Sequence, residues 1–535
     1  MTDIVDDLHR SAHLVKSIGV SLLPDGRSVS ETLTIGGIPY WEVFAVEMSR
    51  IYLPPCLSGN DGKGFFAKVI RPNLVRAKCF ARDFSRLHKH RLENPDQPAS
   101  EAILCLDFSD HISRDVVQPV VRYLADHQDR QITCLRDREW SISAGTSPPN
   151  VLRRTTWNFW FNKLHLKALV LSRQLGLTKK LLTKSKALKQ IVDAIDPDLW
   201  VRIQPALNRL LVGEFASLIK HGVLSRHILE QQRPSLVIAG DIADPRTRIY
   251  LLQCKALGIP CLALQFGMIG PASIEWRFFP ADLVAVWGED SKETLISHGI
   301  SSSQIAITGS PRNDALFNFP TFEIAALKKK LGIAEGCPVV LLASTFQLQS
   351  YDKYSDPEIL REMKRAIFDS ADQFSNVYLV VKPHPSEDEN ETKSFASTNP
   401  NIIFVSRTED IRELITICDC FISFGSTATV DALLSIKLVI CPAFPGWVWS
   451  KFFIDTGAVH SPCSPEEIRD VFKLISTANH TILANQLAPA RDQLVEHWIY
   501  RNDGLGAQRI ANLALSMIPD SCNSVGSLAL PISQL

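Results

Sequence analysis

The segment Val377-Tyr378-Leu379-Val380-Val381-Lys382-Pro383-His384-Pro385 decides the fold of this chain. It is a short apolar run that ends in a basic turn flanked by prolines. A second run, Cys420-Phe421-Ile422-Ser423-Phe424, ends in the same abrupt way at Gly425-Ser426-Thr427. Short and nearly all-apolar runs predict strands of a parallel sheet that helices cover on both faces. Because ligands bind at the carboxyl ends of such strands, we expect both turns to face a ligand.

Both turns carry groups that suit a phosphate. The first offers the cation Lys382 and the imidazole of His384. The second offers the hydroxyls of Ser426 and Thr427, together with free backbone N–H groups that open a helix predicted from Ala428 to Ser435. Two alternatives stay open: His384 simply caps a turn, or Ser426 and Thr427 are ordinary N-cap residues. The favoured prediction is a site for a phosphate-bearing donor.

Composition sets the frame for that prediction. A chain of 535 residues is too long for one core and predicts two or more domains. Its 45% hydrophobic and 21% charged content is typical of a globular protein. The 57 lysines and arginines balance 57 aspartates and glutamates, so net charge does not indicate a nucleic-acid binder. Any electrostatic partner must therefore be recognised locally.

The cysteines and the N-terminus indicate a cytoplasmic protein. Of twelve cysteines, several, such as Cys105, Cys261 and Cys420, lie inside apolar runs and form no CxxC pair, which favours a reduced chain. The first twenty residues contain Asp3 and Asp6 and no long apolar core, so they do not resemble a secretory signal. No run reaches the roughly 20 apolar residues of a membrane span. We expect a cytoplasmic chain, attached at most peripherally to the inner membrane.

Apolar runs divide the chain into an α/β protein with two doubly wound, Rossmann-like domains that face a cleft. Residues 1–100 are predicted to form a helical N-terminal module, residues 101–308 the first Rossmann-like domain, residues 309–515 the second, and residues 516–535 a disordered tail. The predicted strands are 103–106, 132–135, 236–239, 261–264, 283–286 and 305–307 in the first domain, and 339–343, 378–381, 402–405, 420–423 and 438–441 in the second.

The first domain contains an unusual segment, predicted as a basic helical insert over residues 151–195. Between Val151 and Ile191 it carries ten lysines and arginines and no acidic residue, interleaved with Trp157, Trp160 and several leucines. Such a segment either lies on an anionic membrane surface or holds a polyanion, as basic amphipathic helices do. The alternative is a surface helix whose apolar face packs on the sheet.

Three strings together resemble one family. They are Gly309-Ser310-Pro311-Arg312-Asn313-Asp314, Lys382-Pro383-His384-Pro385 and Ser423-Phe424-Gly425-Ser426-Thr427. In this order they are similar to a group of GT-B glycosyltransferases, which includes the CDP-glycerol glycerophosphotransferases of teichoic-acid synthesis and the Kdo and sialic-acid transferases of bacterial capsules. The resemblance covers roughly residues 235–475. It implies a nucleotide-activated donor, of CMP or CDP type by analogy, on the second domain, and a polysaccharide or lipid-linked acceptor on the first.

Carried onto this chain, the resemblance assigns a set of donor-site roles. His384 would face the donor phosphate, and Lys382 would help to neutralise it. The loop Gly425-Ser426-Thr427 would bind phosphate, and Asp431 would accept hydrogen bonds from the donor's ribose. Asp431 is otherwise an ordinary polar helix position, and Arg312 either binds phosphate or braces the crossover between the domains. Trp447 and Trp449 either stack in the donor pocket or pack in the core.

One string departs from the family pattern. Relatives often have Gln-His-Gly at the end of a first-domain strand, whereas this chain has Gln265-Phe266-Gly267. Phenylalanine neither transfers a proton nor binds phosphate, so any role of that histidine is absent here or is served elsewhere.

The reaction also needs a general base from the first domain. The first candidates are Asp110 and His111, and the next are Asp241 and Asp244; for each of them an ordinary loop residue is the alternative. No Asp-x-Asp string follows a predicted strand, so we expect neither a metal nor a cofactor. The leading hypothesis is a glycosyl or glycerophosphate transferase that builds a bacterial surface polysaccharide. The alternatives are a sugar-nucleotide epimerase and a non-catalytic module that binds polysaccharide or an assembly partner.

Overall fold

The protein is described by a computed structural model over residues 4–54, 102–137, 148–160, 162–183, 186–195, 197–210, 215–317, 321–347, 352, 354–384 and 386–519. Half of the predicted N-terminal module, residues 55–101, lies outside the described residues. So does most of the predicted tail, from residue 520 onward.

The first sheet has seven strands, all paired in parallel, in the order β5-β4-β3-β6-β7-β8-β9. Its strands are β3 Ile103–Leu106, β4 Ile132–Arg136, β5 Val151–Thr155, β6 Leu236–Ala239, β7 Cys261–Leu264, β8 Leu283–Val286 and β9 Ile305–Ile307. A small antiparallel pair precedes it, formed by β1 Thr34–Ile35 and β2 Ile38–Pro39. The central strands are buried throughout, as expected for a sheet covered on both faces.

The second sheet has five strands, again all paired in parallel, in the order β12-β11-β10-β13-β14. They are β10 Val339–Ala343, β11 Tyr378–Lys382, β12 Ile402–Phe404, β13 Cys420–Ser423 and β14 Leu438–Ile440. The chain moves outward from β10 through β11 to β12, and then returns to the other side of β10 as β13. Such a reversal leaves a crevice at the carboxyl ends of β10 and β13. In the first sheet the same reversal lies between β3 and β6.

Helices cover both sheets. They are α1 Ile4–Val20, α2 Val29–Thr32, α3 Tyr40–Glu47, α4 Asp110–Ile112, α5 Gln118–His127, α6 Asn162–Thr183, α7 Lys186–Asp193, α8 Leu199–Arg209, α9 Phe215–Gln232, α10 Pro245–Leu257, α11 Glu289–Ser297, α12 Thr321–Lys330, α13 Pro357–Gln373, α14 Glu389–Lys393, α15 Ile411–Ile417, α16 Ala428–Leu434, α17 Lys451–Asp455, α18 Pro465–Ser476, α19 His480–Trp498 and α20 Gly506–Ser516. Single turns of π-helix at Met48–Tyr52 and Ser113–Val117 continue α3 and precede α5. No helix of the described ranges is long and apolar enough to cross a membrane.

The N-terminal helices are part of the first domain and do not form a separate module. Leu14, Val29 and Phe44 belong to the same buried cluster as Leu104 and Val237 of the first sheet. Residues 4–54 have no hydrophobic cluster of their own. The apolar face of α1 therefore packs on the core of the first domain. The prediction of helices in this segment is confirmed for α1 and α3, whereas the prediction of an independent module is wrong for residues 4–54.

The basic insert begins with a strand, which corrects the prediction of a wholly helical segment. Val151–Thr155 pairs in parallel with β4 and forms the edge of the first sheet as β5. Arg153 and Arg154 lie in this strand. An edge strand tolerates long charged side chains because one of its sides is open to solvent. Helices follow only from Asn162.

The last helix returns to the first domain, although the sequence placed it in the second. Ile510, Ala511 and Ala514 of α20 are buried in the cluster that contains Val116, Val120 and Leu124 beside the first sheet. Asp314 fixes the start of α20, because its carboxylate accepts the backbone N–H groups of Gly506 at 2.9 Å and Ala507 at 2.8 Å. The second domain therefore ends before this helix.

Candidate functional site

The carboxyl end of β13 forms a tight loop around Ser423. Its hydroxyl accepts the backbone N–H groups of Gly425 at 3.2 Å and Ser426 at 3.1 Å, and the hydroxyl of Thr429 donates to it at 3.0 Å. The backbone N–H groups of Gly425 and Ser426 are therefore occupied, while the predicted free N–H groups that open α16 stay a prediction. The loop also presents the half-buried hydroxyls of Ser426 and Thr427, of which that of Ser426 lies 3.1 Å from the Ser423 hydroxyl. Thr427 makes no side-chain N-cap bond to α16.

Gly425 is required by the shape of this loop. Its φ of +96° lies in the left-handed region, and an added Cβ atom would lie 2.1 Å from the carbonyl oxygen of Trp449. Trp447 also contacts this loop, because its Nε1 donates to the carbonyl of Phe424 at 2.8 Å. The ring of Trp447 stacks on that of Phe444. Of the two roles considered for Trp447, core packing is therefore the one its contacts show.

A cavity of about 410 Å³ opens beside this loop. Its lining includes Tyr354, Phe444, Trp447, Val448 and Lys451. Its size falls in the range of small-molecule sites. The cavity lies between the start of α1 and the segment that follows β14.

Lys382 ends β11, next to β10 in the sheet. Its ammonium group donates to the carbonyl of Arg407 at 3.0 Å. Burial lowers the pKa of Lys382, and the nearby cation Arg114 lowers it further, while Asp410 opposes the change. A partly buried lysine beside another cation gains from a bound anion.

His384 is half-buried, and one of its ring nitrogens has a defined role. Nδ1 accepts the backbone N–H of Ser386 at 3.1 Å, and the ring lies 5.2 Å from that of Phe346. Because Nδ1 accepts, the proton of the neutral ring is on Nε2. The imidazole is thus arranged to donate through Nε2. Pro385 lies outside the described residues.

The turn that carries His384 is anchored by Glu387, which the sequence analysis missed. The buried carboxylate accepts the backbone N–H of His384 at 3.0 Å, the hydroxyl of Ser344 at 2.7 Å and the ammonium of Lys364 at 2.6 Å. Thr392 donates to the same carboxylate. Ser344 follows β10, so Glu387 fastens the His384 turn to the neighbouring strand. An acidic residue close after a strand is too common to have revealed this role.

Asp431 and Arg312 face each other across the boundary between the two sheets. Arg312 donates through Nε to the carboxylate oxygens of Asp431 at 3.2 and 3.0 Å, and Asn313 donates at 2.8 Å. Asp431 has no exposed surface and Arg312 is 8% exposed. Although burial opposes the charge, Asp431 and Asp115 raise the pKa of Arg312 above its usual range. Of the two roles considered for Arg312, these contacts fit the one in which it holds the two domains together. They also occupy the Asp431 carboxylate with partners from the protein itself.

Asp115 joins the first domain to this pair. Its carboxylate accepts from Arg312, from Arg412 at 3.0 Å and from Arg114 at 2.8 Å. Burial raises the pKa of Asp115, but the arginines outweigh that effect and hold it below its usual value. Arg412 also donates to the carbonyl of Arg312 at 2.8 Å. We call Asp115, Arg312, Arg412 and Asp431 the interdomain network.

Asp110, one of the first candidates for the general base, is not the most buried aspartate near the end of β3. Asp110 has a side chain that is 70% exposed and pairs with Arg136 at 2.6 Å. His111 lies in the same short helix, and its side chain is outside the described part of the chain. Asp107, directly after β3, is 2% exposed, and burial raises its pKa. Asp107 was not predicted, although its place directly after a strand was a usable signal.

Asp241 lies after β6, on the other side of the crevice from β3. Its Oδ1 accepts the backbone N–H groups of Ala243 at 3.0 Å and Asp244 at 3.2 Å. Burial, aided by the charge of Asp244 and more weakly Glu275, raises the pKa of Asp241 to about 7. Asp244 instead caps α10 and pairs with Arg246, so its carboxylate is occupied. Asp241 is therefore the better base of the two.

The loop that departs from the family pattern lies beside the Ser426 loop. A Cβ atom on Gly267 would lie 3.3 Å from the hydroxyl of Thr427, so the two sheets approach each other here. Gln265 shapes this loop by donating to the carbonyl of Gly267 at 2.9 Å and accepting the N–H of Trp287 at 2.7 Å. Phe266 stacks on Trp276, which makes it an apolar packing residue.

Residues 290–431 match the model of the CDP-glycerol:poly(glycerophosphate) glycerophosphotransferase family. The matched segment contains Arg312, Lys382, His384, the 425–427 loop and Asp431. The wall teichoic acid polymerase TagF has a similar structure, with 13% identity, a TM-score of 0.50 and coverage of 86% of this chain and 98% of that one. The chain has the GT-B fold. The match over residues 290–431 also supports the prediction that this GT-B protein is a transferase.

Two further solved structures are similar to this GT-B protein at lower TM-scores. UDP-GlcNAc 2-epimerase from Neisseria meningitidis has 15% identity and a TM-score of 0.48, with 78% of this chain and 100% of that chain covered. MnaA from S. aureus has 12% identity and a TM-score of 0.49, with 78% and 98% covered. No curated protein is significantly similar to the chain. Among the described residues, no group of three or more His, Cys, Asp or Glu is arranged to hold a metal ion.

Proposed function

We propose that the protein transfers a sugar or glycerophosphate from a nucleotide-activated donor to a bacterial surface polysaccharide. The observation that carries the proposal is the pairing of two loops within residues 290–431: His384 follows β11, and Ser426 and Thr427 follow β13, on either side of β10. The carboxyl ends of β10 and β13 are where a doubly wound sheet binds its ligand. The description of the matched family favours a cytidine nucleotide as the activating group.

In the proposed donor site, four side chains share the phosphate. Lys382 offsets its charge, His384 donates through Nε2, and the hydroxyls of Ser426 and Thr427 donate from the other side. Transfer leaves additional negative charge on the departing nucleotide, and fixed donors of this kind stabilise such charge in the transition state. We propose that these groups serve in place of a metal and that no cofactor is needed.

The acceptor hydroxyl loses a proton as it attacks, and we propose Asp241 as the base. It lies at the crevice of the first sheet, and its pKa of about 7 is suited to proton transfer near neutral pH. Asp107, across the same crevice, has a raised pKa as well and would keep its proton more readily than an exposed aspartate. Asp110, exposed and paired with Arg136, is a weaker candidate than either.

We propose that α6 attaches the protein to the anionic surface of the inner membrane from the cytoplasmic side. Leu166, Leu169 and Val170 are 64%, 51% and 60% exposed. Lys163 and Lys167 are exposed on the same helix. Exposed apolar residues flanked by cations suit a helix that lies in the headgroup region.

One observation favours a second candidate, a GT-B module that binds a polysaccharide or an assembly partner without catalysis. Phe266 replaces a histidine common in relatives and is packed on Trp276, so the site lacks one polar group. A non-catalytic module should bind a polymer and be indifferent to the loss of His384. A transferase should lose turnover by a large factor.

The test is a thermal-shift panel with CMP, CDP, UDP and GDP, on the wild type and on His384→Ala, Ser426→Ala and the surface control His127→Ala. A ligand at about 100 times its Kd should add roughly 2.7 kcal/mol of stability. We expect one cytidine nucleotide to stabilise the wild type and His127→Ala, and to fail with the other two variants. If no nucleotide stabilises the wild type, the donor site and the transferase are both contradicted.

A further inference from the structure

Four basic side chains meet where α1 crosses the segment after β7. The guanidinium Nη2 of Arg277 lies 3.3 Å from Nδ1 of His9, whose Nε2 is 2.7 Å from the carbonyl oxygen of Pro271. The ring of His9 meets the ring of His298 edge-on at 5.8 Å. Lys16 lies over the ring of Phe278, with Nζ 5.7 Å from its centroid. We call His9, Lys16, Arg277 and His298 the α1 cationic cluster.

The α1 cationic cluster has no acidic counterpart in the described ranges. The carboxylates nearest along the chain have other partners: Glu275 pairs with Arg50 at 3.8 Å, and Asp7 pairs with Arg10 at 3.6 Å. Neither Lys16 nor Arg277 forms an ion pair with a described residue. In the interdomain network, by contrast, every arginine contacts a carboxylate.

The two charged members of the cluster, Lys16 and Arg277, repel each other, whereas His298 is neutral near pH 7. Partial burial of its side chain lowers the pKa of Lys16, and the charge of Arg277 lowers it further. Burial, together with Arg277 and His9, lowers the pKa of His298 to about 4. Like charges that face each other without a counter-ion are unfavourable, and an anion bound between them removes that cost. Lys16 is exposed and Arg277 is half-buried, so a ligand has access to both.

The position of α1 connects the cluster to the proposed donor site. Ile4 and Leu8, at the start of α1, pack with Tyr354 and Trp449 of the second domain. The carbonyl oxygen of Trp449 lies so close to Gly425 that it leaves no room for a Cβ atom there. From there α1 runs for 17 residues, which is about 25 Å, with His9 and Lys16 on one face. The helix therefore places His9 and Lys16 progressively farther along its axis from the contact with Trp449.

We propose that the α1 cationic cluster binds an oxyanion, a phosphate or a carboxylate, of an anionic acceptor polymer that extends out of the cleft. Lys16 and Arg277 contact the anion directly, and His9 holds the Arg277 guanidinium in place. The inference rests on the proposed transferase for the identity of the polymer. The binding itself can be measured without turnover.

The experiment measures binding of fluorescein-labelled short-chain polyphosphate and of labelled oligosialic acid by fluorescence anisotropy, with neutral dextran as the uncharged probe. The double variant Lys16→Gln/Arg277→Gln is compared with two doubles of equal charge change. Arg469→Gln/Lys473→Gln lies on α18, and Lys163→Gln/Lys167→Gln lies on α6. Losing charged hydrogen bonds should weaken binding of at least one polyanion roughly tenfold or more, while the α18 double stays near wild type.

The proposal is overturned if neither polyanion binds the wild type, or if all three doubles weaken binding equally, since net charge alone would then explain it. It is also overturned if only the α6 double weakens binding. Loss for one polyanion alone supports the site and names its anion. Should the double variant misfold, the single variant Lys16→Gln, on an exposed side chain, gives the same comparison. Lys16→Gln/Arg277→Gln should keep the stabilisation by nucleotide in the thermal-shift panel, so a failed transferase and a failed cluster are distinguishable.

Discussion

Arg312 places its guanidinium against both oxygens of Asp431, with Nε at 3.2 and 3.0 Å, and so ties the segment leaving the first sheet to the helix that follows the 425–427 loop. Asp115 of the first domain contacts the same guanidinium. Arg312→Met should therefore lower the free energy of unfolding by about 3–5 kcal/mol, because it leaves the buried carboxylate of Asp431 without its cation and removes one of the arginines that Asp115 contacts. Urea denaturation measures this loss.

The exposed pair Arg27 and Asp25 is the control for that measurement. Its side chains are 61% and 47% exposed, so Arg27→Met should cost less than about 1 kcal/mol. A similar small cost for Arg312→Met would mean that water screens the interdomain network and that it does not brace the domains.

Gly425→Ala should distort the 425–427 loop more than its backbone conformation alone requires. The left-handed φ costs an alanine about 1–2 kcal/mol, and the Cβ atom would in addition meet the Trp449 carbonyl at 2.1 Å. Gly336 is the matched control, with φ +78° and nothing within 4 Å of an added Cβ. We expect Gly425→Ala to lose nucleotide-induced stabilisation and Gly336→Ala to keep it. If the two variants show the same nucleotide-induced stabilisation in a thermal-shift assay, the 425–427 loop tolerates displacement.

Variants of Glu387 and Lys364 distinguish an effect on the stability of the protein from an effect on the activity that depends on His384. Glu387→Leu should destabilise the fold by about 3–5 kcal/mol, since Lys364 is left buried and unpaired. Adding Lys364→Met removes that charge and should recover much of the stability. Turnover should stay low in the double variant, because the backbone N–H of His384 has still lost its acceptor.

The readouts for this pair are urea denaturation and kcat, with KM measured alongside. Recovery of kcat together with stability would show that Glu387 only supports the fold and does not position His384.

Asp241 should make both stability and activity depend on pH. Its pKa is about 7 in the folded protein and about 4 in an unfolded chain. Between these values the folded state holds a proton that the unfolded chain has released, so the free energy of unfolding falls as pH rises. Asp241→Asn should remove that slope, whereas Asp126→Asn, at an exposed position of α5, should keep it.

If Asp241 is the base, kcat/KM should rise with pH through about 7. Asp241→Asn should lose most of the activity. Should the variant remain active with an unchanged pH profile, the base is another group, and Asp107 is the next to test.

The strands could be predicted closely because each is a local signal. The predicted strands β6, β7, β8, β10 and β13 coincide with the structure, since short apolar runs between polar turns have few alternatives. The edge strand β5 was missed because Arg153 and Arg154 suit an open edge as well as a basic helix. Composition does not distinguish the two.

The polar contacts could not be predicted in the same way. Arg312 meets Asp115 and Asp431, which are far from it in the sequence, and Glu387 meets Lys364 from another helix. Such pairs depend on how the two sheets pack, which no short pattern encodes. The sequence therefore located the loops of the site, while the structure decided which of their side chains are occupied by the protein itself.

The return of α20 to the first sheet sets an order for folding during synthesis. A ribosome completes the seven strands of the first domain long before it makes Ile510, Ala511 and Ala514, which cover one face of that domain. Domains often fold as they emerge from the ribosome. Here the first domain would wait with an apolar surface uncovered until α20 has been made. A chain truncated before Gly506 should consequently aggregate through its first domain, although every residue of that domain's sheet is present.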